Sequence, residues 1–187
     1  MALTYTPQQH ALGTKAPDFS LPATDGKTYE LAQCRGEKAT IIMFICNHCP
    51  YVKAILSAIV QDMNDLLRLG VASVAIMPND TQRYPEDSLE NMKALSHRMR
   101  FPFPYLIDEK QEVTRRYGAV CTPEFFGYDH ALTLRYRGRL SDKTMAHHDS
   151  PQKTRKRELV HSMERIIQGE TDIPPAHPAM GCSIKFR

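Results

Sequence analysis

Two cysteines three positions apart, Cys46 and Cys49, enclose Asn47 and His48 and are followed at once by Pro50. They close the apolar, β-branched run "ATIIMFI" and open a helix-like pattern. A dithiol of this spacing can exchange disulfides, clasp a soft metal or simply pack. If the strand ends at Cys46, that sulfur sits at a helix N-terminus, where unpaired N–H groups and the positive end of the helix dipole favour an anion. A thiol there can fall in pKa from about 8.5 to between roughly 3.5 and 7.5. His48, when protonated, adds positive charge beside it. Cys49 lies one turn on and is expected to be the more covered thiol and to stay protonated. On this reading Cys46 attacks and Cys49 resolves. A zinc or copper(I) clasp would instead use Cys46, His48 and Cys49 with His147 or His148. Adjacent histidines match the paired spacing of structural zinc poorly. Inert packing suits cysteine in general, but not a pair flanked by Asn, His and Pro at a strand end.

A second signal lies downstream, where Thr122-Pro123 opens the strand-like "EFFGYD". Of the remaining thiols, Cys34 and Cys121 read as small packed side chains. Cys182 stands in a proline-rich tail and is either a third redox thiol or part of a tail packed on the body. His147 and His148, between a strand and a helix, read as loop residues.

The elements that must position these groups follow from hydrophobic spacing. Asp25-Gly26 between short alternating segments predicts a β-hairpin over 16–31. Residues 39–45 read as a buried strand. Val52, Ile55, Leu56, Ile59, Met63, Leu66 and Leu67 mark a long amphipathic helix stopped near Gly70. "VASVAIM" is a second buried strand, and Leu89, Met92, Leu95 and Met99 mark a second helix. "YLID" is a short edge-like segment. A short helix ends near Tyr117, with Gly118 as its stop. "EFFGYD" and "LTLRYRGRL" form a hairpin around Asp129 and His130, and Leu159–Ile167 a last helix closed by Gly169. This order implies a mixed sheet with helices on both faces. One domain over 1–187 is expected, with an N-terminal arm at 1–12 and an irregular tail at 170–187.

The chain has 187 residues and a net charge of only +3, which gives no argument for nucleic acid. The run Lys153-Thr154-Arg155-Lys156-Arg157 reads as a solvated helix start. No basic, apolar leader and no membrane-length apolar stretch is seen, so a cytoplasmic location without membrane contact is expected. Five scattered cysteines make a poor disulfide framework and fit reactive or metal-binding thiols better.

Cys46-Asn47-His48-Cys49 on a strand-to-helix turn, with Thr122-Pro123 ahead of a hairpin, resembles the thioredoxin superfamily. "KAPDFSLPATDGKTYELAQCRGEKATIIMF" resembles the opening of redoxins, the alkyl hydroperoxide reductase/thiol-specific antioxidant family. "CNHCPYVKA", "GAVCTPEFF", "YRGRL" and "MGCSIKF" are similar to its peroxiredoxin-like subgroup. The resemblance runs from Gly13 onward. It implies a thioredoxin-like α/β fold with a central mixed sheet and an N-terminal hairpin extension. It also implies a cis Thr122-Pro123 bond against the cysteine pair and a Thr122 backbone that pairs with an extended substrate segment.

Two departures from the resemblance matter. Peroxiredoxins carry Pro and then Thr or Ser at fixed distances ahead of the peroxidatic cysteine. Here those positions are Ala39 and Met43 ahead of Cys46, or Ile42 and Cys46 ahead of Cys49. Thioredoxins carry a buried acid on the strand before the pair, and residues 39–45 contain none. His48 or Glu124 is the candidate substitute. The expected activity is therefore thiol–disulfide exchange with Cys46, Cys49, His48, Thr122 and Pro123 as the site and Cys182 as an additional thiol. Its partners would be protein or small-molecule disulfides and a thiol reductant, with no cofactor. The alternatives are a thiol-dependent peroxidase and a non-catalytic metal-binding module.

Overall fold

The computed structural model describes residues 3–6, 12–143 and 155–187. Its centre is a five-stranded sheet in the order β6-β5-β4-β8-β9. Strands β4 (Ala39–Phe44), β5 (Val71–Met77) and β6 (Tyr105–Ile107) run parallel, and β8 (Glu124–Asp129) and β9 (Leu134–Gly138) continue the sheet antiparallel. The central strand β4 is buried along its whole length, which is why its sequence is a continuous apolar run. Alternation still divides it between two cores. Ala39, Ile41 and Met43 meet one layer, and Ile42 and Phe44 meet the other.

The first layer is α1 (Pro50–Leu67), α2 (Leu89–Met99) and α4 (Glu158–Ile167). Val52, Leu56, Ile59, Met63 and Leu66 form the buried stripe of α1, and each contributes about 1.5–3 kcal/mol by leaving water. The second layer holds α3 (Glu112–Tyr117) through Val113 and Tyr117. It also holds the hairpin of β2 (Ser20–Pro22) and β3 (Thr28–Glu30) through Phe19 and Leu21. Gly26 turns that hairpin at φ +85°, in the region open to glycine at little steric cost. No helix among the described residues is long and apolar enough to cross a membrane.

The two ends of the chain depart from the expected plan. The tail, expected to be irregular, supplies β10 (Met180–Ser183), and the N-terminal arm supplies β1 (Leu3–Tyr5). With β7 (Cys121–Thr122) they form an antiparallel sheet in the order β1-β10-β7. The reason lies beyond local propensity. The β7 edge beside Pro123 offers unpaired backbone groups, and the tail satisfies them. Beyond β10, Lys185 is held by Asn79 and Asp80: its N–H donates to Asn79 Oδ1 at 2.9 Å and its carbonyl accepts from Asp80 N at 2.9 Å. Ile184 is buried, and Arg115 stacks over the Phe186 ring at 4.3 Å.

The described part of the basic run, residues 155–157, is also not a free solvated face. Arg155 forks onto both carboxylate oxygens of buried Asp62 at 2.6 and 2.7 Å, and Arg157 reaches Asp62 and Asp65 at 2.7 Å. These two arginines fasten the segment before α4 to α1. A carboxylate buried in a helix face needs such partners.

Candidate functional site

The site lies beyond the C-terminal end of β4, where the sheet changes from parallel to antiparallel neighbours. Open α/β sheets place ligands at such points. Helix α1 begins one residue after the second cysteine, not at the first. Pro50 occupies its first position, where a missing N–H costs nothing and the fixed φ suits a helix. Cys49 is therefore the N-cap, with its carbonyl accepting from Lys53 N at 3.0 Å. Cys46 precedes the helix by a full turn of loop.

This reverses the electrostatics expected from the sequence. Cys49 is pulled down to about 5, first by the hydrogen bond from the Cys46 thiol and then, against the cost of burial, by bonds from the Cys182 thiol and the Cys182 and Val52 N–H groups. Cys46 is pushed well up by its hydrogen bond to Cys49, by burial and by the Asp87 carboxylate, with only the Thr122 hydroxyl pulling the other way. Among these three thiols, the first proton to leave is the one Cys49 and Cys46 share.

Thr122 touches both sulfurs. Its Oγ1 is 3.3 Å from Cys46 Sγ, and its carbonyl oxygen is 3.1 Å from Cys49 Sγ. The Thr122-Pro123 bond is cis, as the resemblance implied. The expected open edge is not there, however. Thr122 already pairs with Cys182, so a substrate strand finds its backbone occupied.

The acid missing from β4 arrives from elsewhere. Asp87, on the short 3₁₀ turn Pro85–Asp87, is fully buried. Its Oδ1 accepts from the backbone N–H groups of Asn47 at 2.7 Å and His48 at 3.2 Å. Its Oδ2 stands 2.6 Å from His48 Nδ1 and accepts from Asn79 Nδ2 at 2.8 Å. His48 stacks on Tyr84 with ring centroids 5.2 Å apart, and its Nε2 is buried without a hydrogen-bond partner among the described residues. Sequence reasoning does not single out Asp87, because an acid just before a helix N-cap such as Ser88 looks like ordinary capping chemistry. Glu124, the other candidate acid, is spent elsewhere. Its carboxylate holds Arg137 at 2.7 Å, the Thr6 hydroxyl at 3.1 Å and Val120 N–H at 2.9 Å.

Cys46, His48 and Asp87 bring a sulfur, a ring nitrogen and a carboxylate oxygen within 4.8 Å of one another. This differs from the metal set drawn from the sequence, whose His147 and His148 lie outside the described residues. Cys34 and Cys121 are buried, and burial raises both thiols, Cys34 to about 11, with the Glu124 carboxylate pushing Cys121 the same way. Such thiols are inert. A cleft of about 560 Å³ opens at the pair, lined by Cys46, His48, Lys53, Leu56, Leu95 and Arg98. Cys49 and Cys182 are not on its wall.

Residues 12–138, most of the chain, match the AhpC/TSA family. The chain belongs to the AhpC/TSA family. Two solved relatives extend the likeness to its whole length. An uncharacterized conserved protein from Geobacillus kaustophilus is 38% identical with a TM-score of 0.93, covering 100% of this chain and 97% of its own. A hypothetical protein from Sinorhizobium meliloti 1021 is 35% identical with a TM-score of 0.88, covering 96% of each. The thioredoxin domain of a thiol-disulfide oxidoreductase from Bacteroides vulgatus is 15% identical with a TM-score of 0.63, covering 85% of this chain and 99% of its own. At that distance the likeness is one of fold. This AhpC/TSA protein thus has the thioredoxin-like fold of the redoxins, and its family and neighbours are of the thiol–disulfide oxidoreductase or thiol peroxidase type.

Proposed function

We propose that this protein exchanges disulfides through Cys46 and Cys49. The observation that carries the reading is the reach of Thr122 to both sulfurs, its hydroxyl 3.3 Å from Cys46 Sγ and its carbonyl 3.1 Å from Cys49 Sγ. In one form Cys49 bears the charge, held by Val52 N–H and Cys182. In the other the Cys49 thiol donates to the Thr122 carbonyl and the Thr122 hydroxyl donates to a Cys46 thiolate. Moving one proton along the Cys46–Cys49 hydrogen bond interconverts the two, so the charge is available to the sulfur that faces the cleft. Cys46 then attacks a substrate sulfur, the substrate's second sulfur leaves as thiolate, and Cys49 attacks Cys46 to release the rest. The product is a Cys46–Cys49 disulfide and two substrate thiols, and an external thiol regenerates the pair.

The occupied Thr122 edge favours a small disulfide, or a single exposed disulfide presented to the cleft, over an extended strand. Lys53 and Arg98 on the cleft wall suit a carboxylate-bearing one. The peroxidase reading lacks the Pro and Thr/Ser of the peroxide-activating loop, and Ala39 and Met43 lie inside the fully buried β4.

The test is turnover of bis(2-hydroxyethyl) disulfide and of hydrogen peroxide with dithiothreitol as reductant, using metal-free protein. Disulfide turnover lost in Cys46→Ser, together with a trapped mixed disulfide in Cys49→Ser, supports the reading. Peroxide turnover without disulfide turnover overturns it. So does labelling of both thiols that, in the protein as purified, begins only after a chelator is added.

A further inference from the structure

Cys182 is not needed for a two-cysteine exchange, yet the fold delivers it to the pair. Register places it directly opposite Thr122 across the β10–β7 ladder. Directly opposed residues project to the same face of a sheet, with Cβ atoms about 4.5–5.5 Å apart. Thr122 projects its hydroxyl to Cys46, so Cys182 projects its thiol to the same face, where it meets Cys49. The Cys182 and Cys49 side chains are hydrogen-bonded, and all three cysteines share one buried cluster. The preceding residue explains how β10 comes so close. A Cβ on Gly181 would lie 2.0 Å from the Thr122 carbonyl oxygen and 2.6 Å from its carbonyl carbon. Only a glycine there lets the next residue reach the site.

We propose that Cys182 is a third redox thiol that takes over the disulfide from Cys46 by exchange at Cys49. This rests on the function proposed above. Once Cys46–S–S–Cys49 has formed, the Cys182 sulfur attacks Cys49 Sγ. The Cys46–Cys49 bond breaks, the Cys182–Cys49 bond forms, and the proton lost by Cys182 ends on the departing Cys46 sulfur. Three sulfurs and two oxidising equivalents are conserved, so no further oxidant is required. An external thiol returns the enzyme to its reduced state. Cys182 is buried and does not line the cleft that Cys46 borders, so a reagent entering there meets Cys46 first, and the oxidation of Cys182 runs through Cys49. Burial and the hydrogen bond to Cys49 hold its thiol up at about 12 in the reduced protein. When Cys49 is in a disulfide, its negative charge is gone and that part of the restraint is lifted. The exchange leaves Cys46 reduced at the cleft while the oxidising equivalents are stored beneath it.

The test oxidises the full chain with bis(2-hydroxyethyl) disulfide, quenches in acid and maps disulfides by mass spectrometry. Wild type should show both the Cys46–Cys49 and Cys49–Cys182 linkages, the second in at least about one oxidised molecule in ten, which corresponds to a gap of no more than about 1.4 kcal/mol. In oxidised wild type, part of Cys46 should alkylate. In oxidised Cys182→Ser or Cys182→Ala, Cys46 should be fully blocked. Cys49→Ser and Cys46→Ser should each leave Cys182 reduced. A wild type that forms only Cys46–Cys49, with Cys182 fully alkylated after denaturation, overturns this inference and leaves the proposed function standing. A protein that forms neither linkage overturns both. The wild-type map decides even where a Cys182 variant fails to fold.

Discussion

Asp87 Oδ2 stands 2.6 Å from His48 Nδ1, both side chains shielded from solvent, one residue pair away from the reactive thiols. The contact does two jobs at once. It fixes the turn that carries Cys46, because the same carboxylate accepts the backbone N–H groups of Asn47 and His48. It also sets a negative charge against Cys46, which pushes that thiol up.

The two jobs separate on mutation. Asp87→Asn removes the charge, so the pH profile of Cys46 alkylation by iodoacetamide should move to lower pH. Asp87→Ala also abandons four hydrogen bonds and should lower stability by about 3 kcal/mol, since buried bonds to a charged group are worth about 1.5–3 kcal/mol each and the site partly relaxes. Denaturant unfolding measures the second effect. An Asp87→Asn profile that coincides with wild type would reduce Asp87 to a structural residue.

The reduced protein should grow more stable from about pH 5 to about pH 8.5. The Cys49 thiol titrates at about 5 in the fold and at about 8.5 when unfolded. Between these values the unfolded chain holds the extra proton, so stability rises with pH by up to about 1.4 kcal/mol per unit. This contribution is complete above the unfolded pKa and is lost as pH falls through about 5. Above about 8.5 the sign reverses, because Cys34 and Cys182 stay protonated in the fold up to about 11 and 12 while the unfolded thiols ionise. Urea unfolding under reducing conditions at about pH 5.5, 7 and 8.5 tests this. Cys49→Ser should flatten the lower slope, and an unchanged slope would place the charge elsewhere.

Glu124 and Arg137 make a separate, structural claim. Both are buried, and the ion pair at 2.7 Å ties β8 to β9 next to Pro123. Arg137→Met should cost about 3–5 kcal/mol by stranding the carboxylate, while Arg137→Met with Glu124→Gln should recover most of the loss. Denaturation midpoints of the two variants decide it. Equal losses in both would mean that packing, not charge, is what Arg137 supplies.

Much of this architecture was legible in the sequence, and the exceptions share a cause. Ile41, Met43 and Phe44 announce a buried strand because a strand covered on both faces must be apolar throughout. Val52, Leu56, Ile59 and Met63 announce α1 because a helix buries one stripe. Thr122-Pro123 and the Cys46–Cys49 spacing pointed to the site. What stayed hidden depends on partners far along the chain. The four residues of β10 carry no alternation of their own, and they form a strand because β1 and β7 flank them. Asp87 reaches the site through a loop whose path has no periodicity. The helix starts three residues later than the hydrophobic spacing suggests, because Pro50 makes Cys49 the N-cap in place of Cys46. That displacement moved the electrostatic advantage to Cys49 as well.

The last prediction concerns the approach of β10 to β7. Gly181 is buried, and the atoms a Cβ would strike are the backbone carbonyl of Thr122 and, at 3.1 Å, the nitrogen of Pro123. Backbone cannot rotate aside as a side chain can, so Gly181→Ala must push the two strands apart. The Cys182↔Thr122 pairing is then strained, and with it the carbonyl that Cys49 contacts. Overpacking of this kind costs about 1–3 kcal/mol. The loss should be local, with α1 and the five-stranded sheet intact by circular dichroism, and with Cys182 labelled by a small maleimide much faster than in wild type. Hydrogen exchange at Cys182 and Ile184, whose N–H donates to the Val120 carbonyl at 3.1 Å, should quicken in step. A Gly181→Ala protein as stable as wild type, with Cys182 still protected, would mean that β10 does not lie against Thr122 in solution.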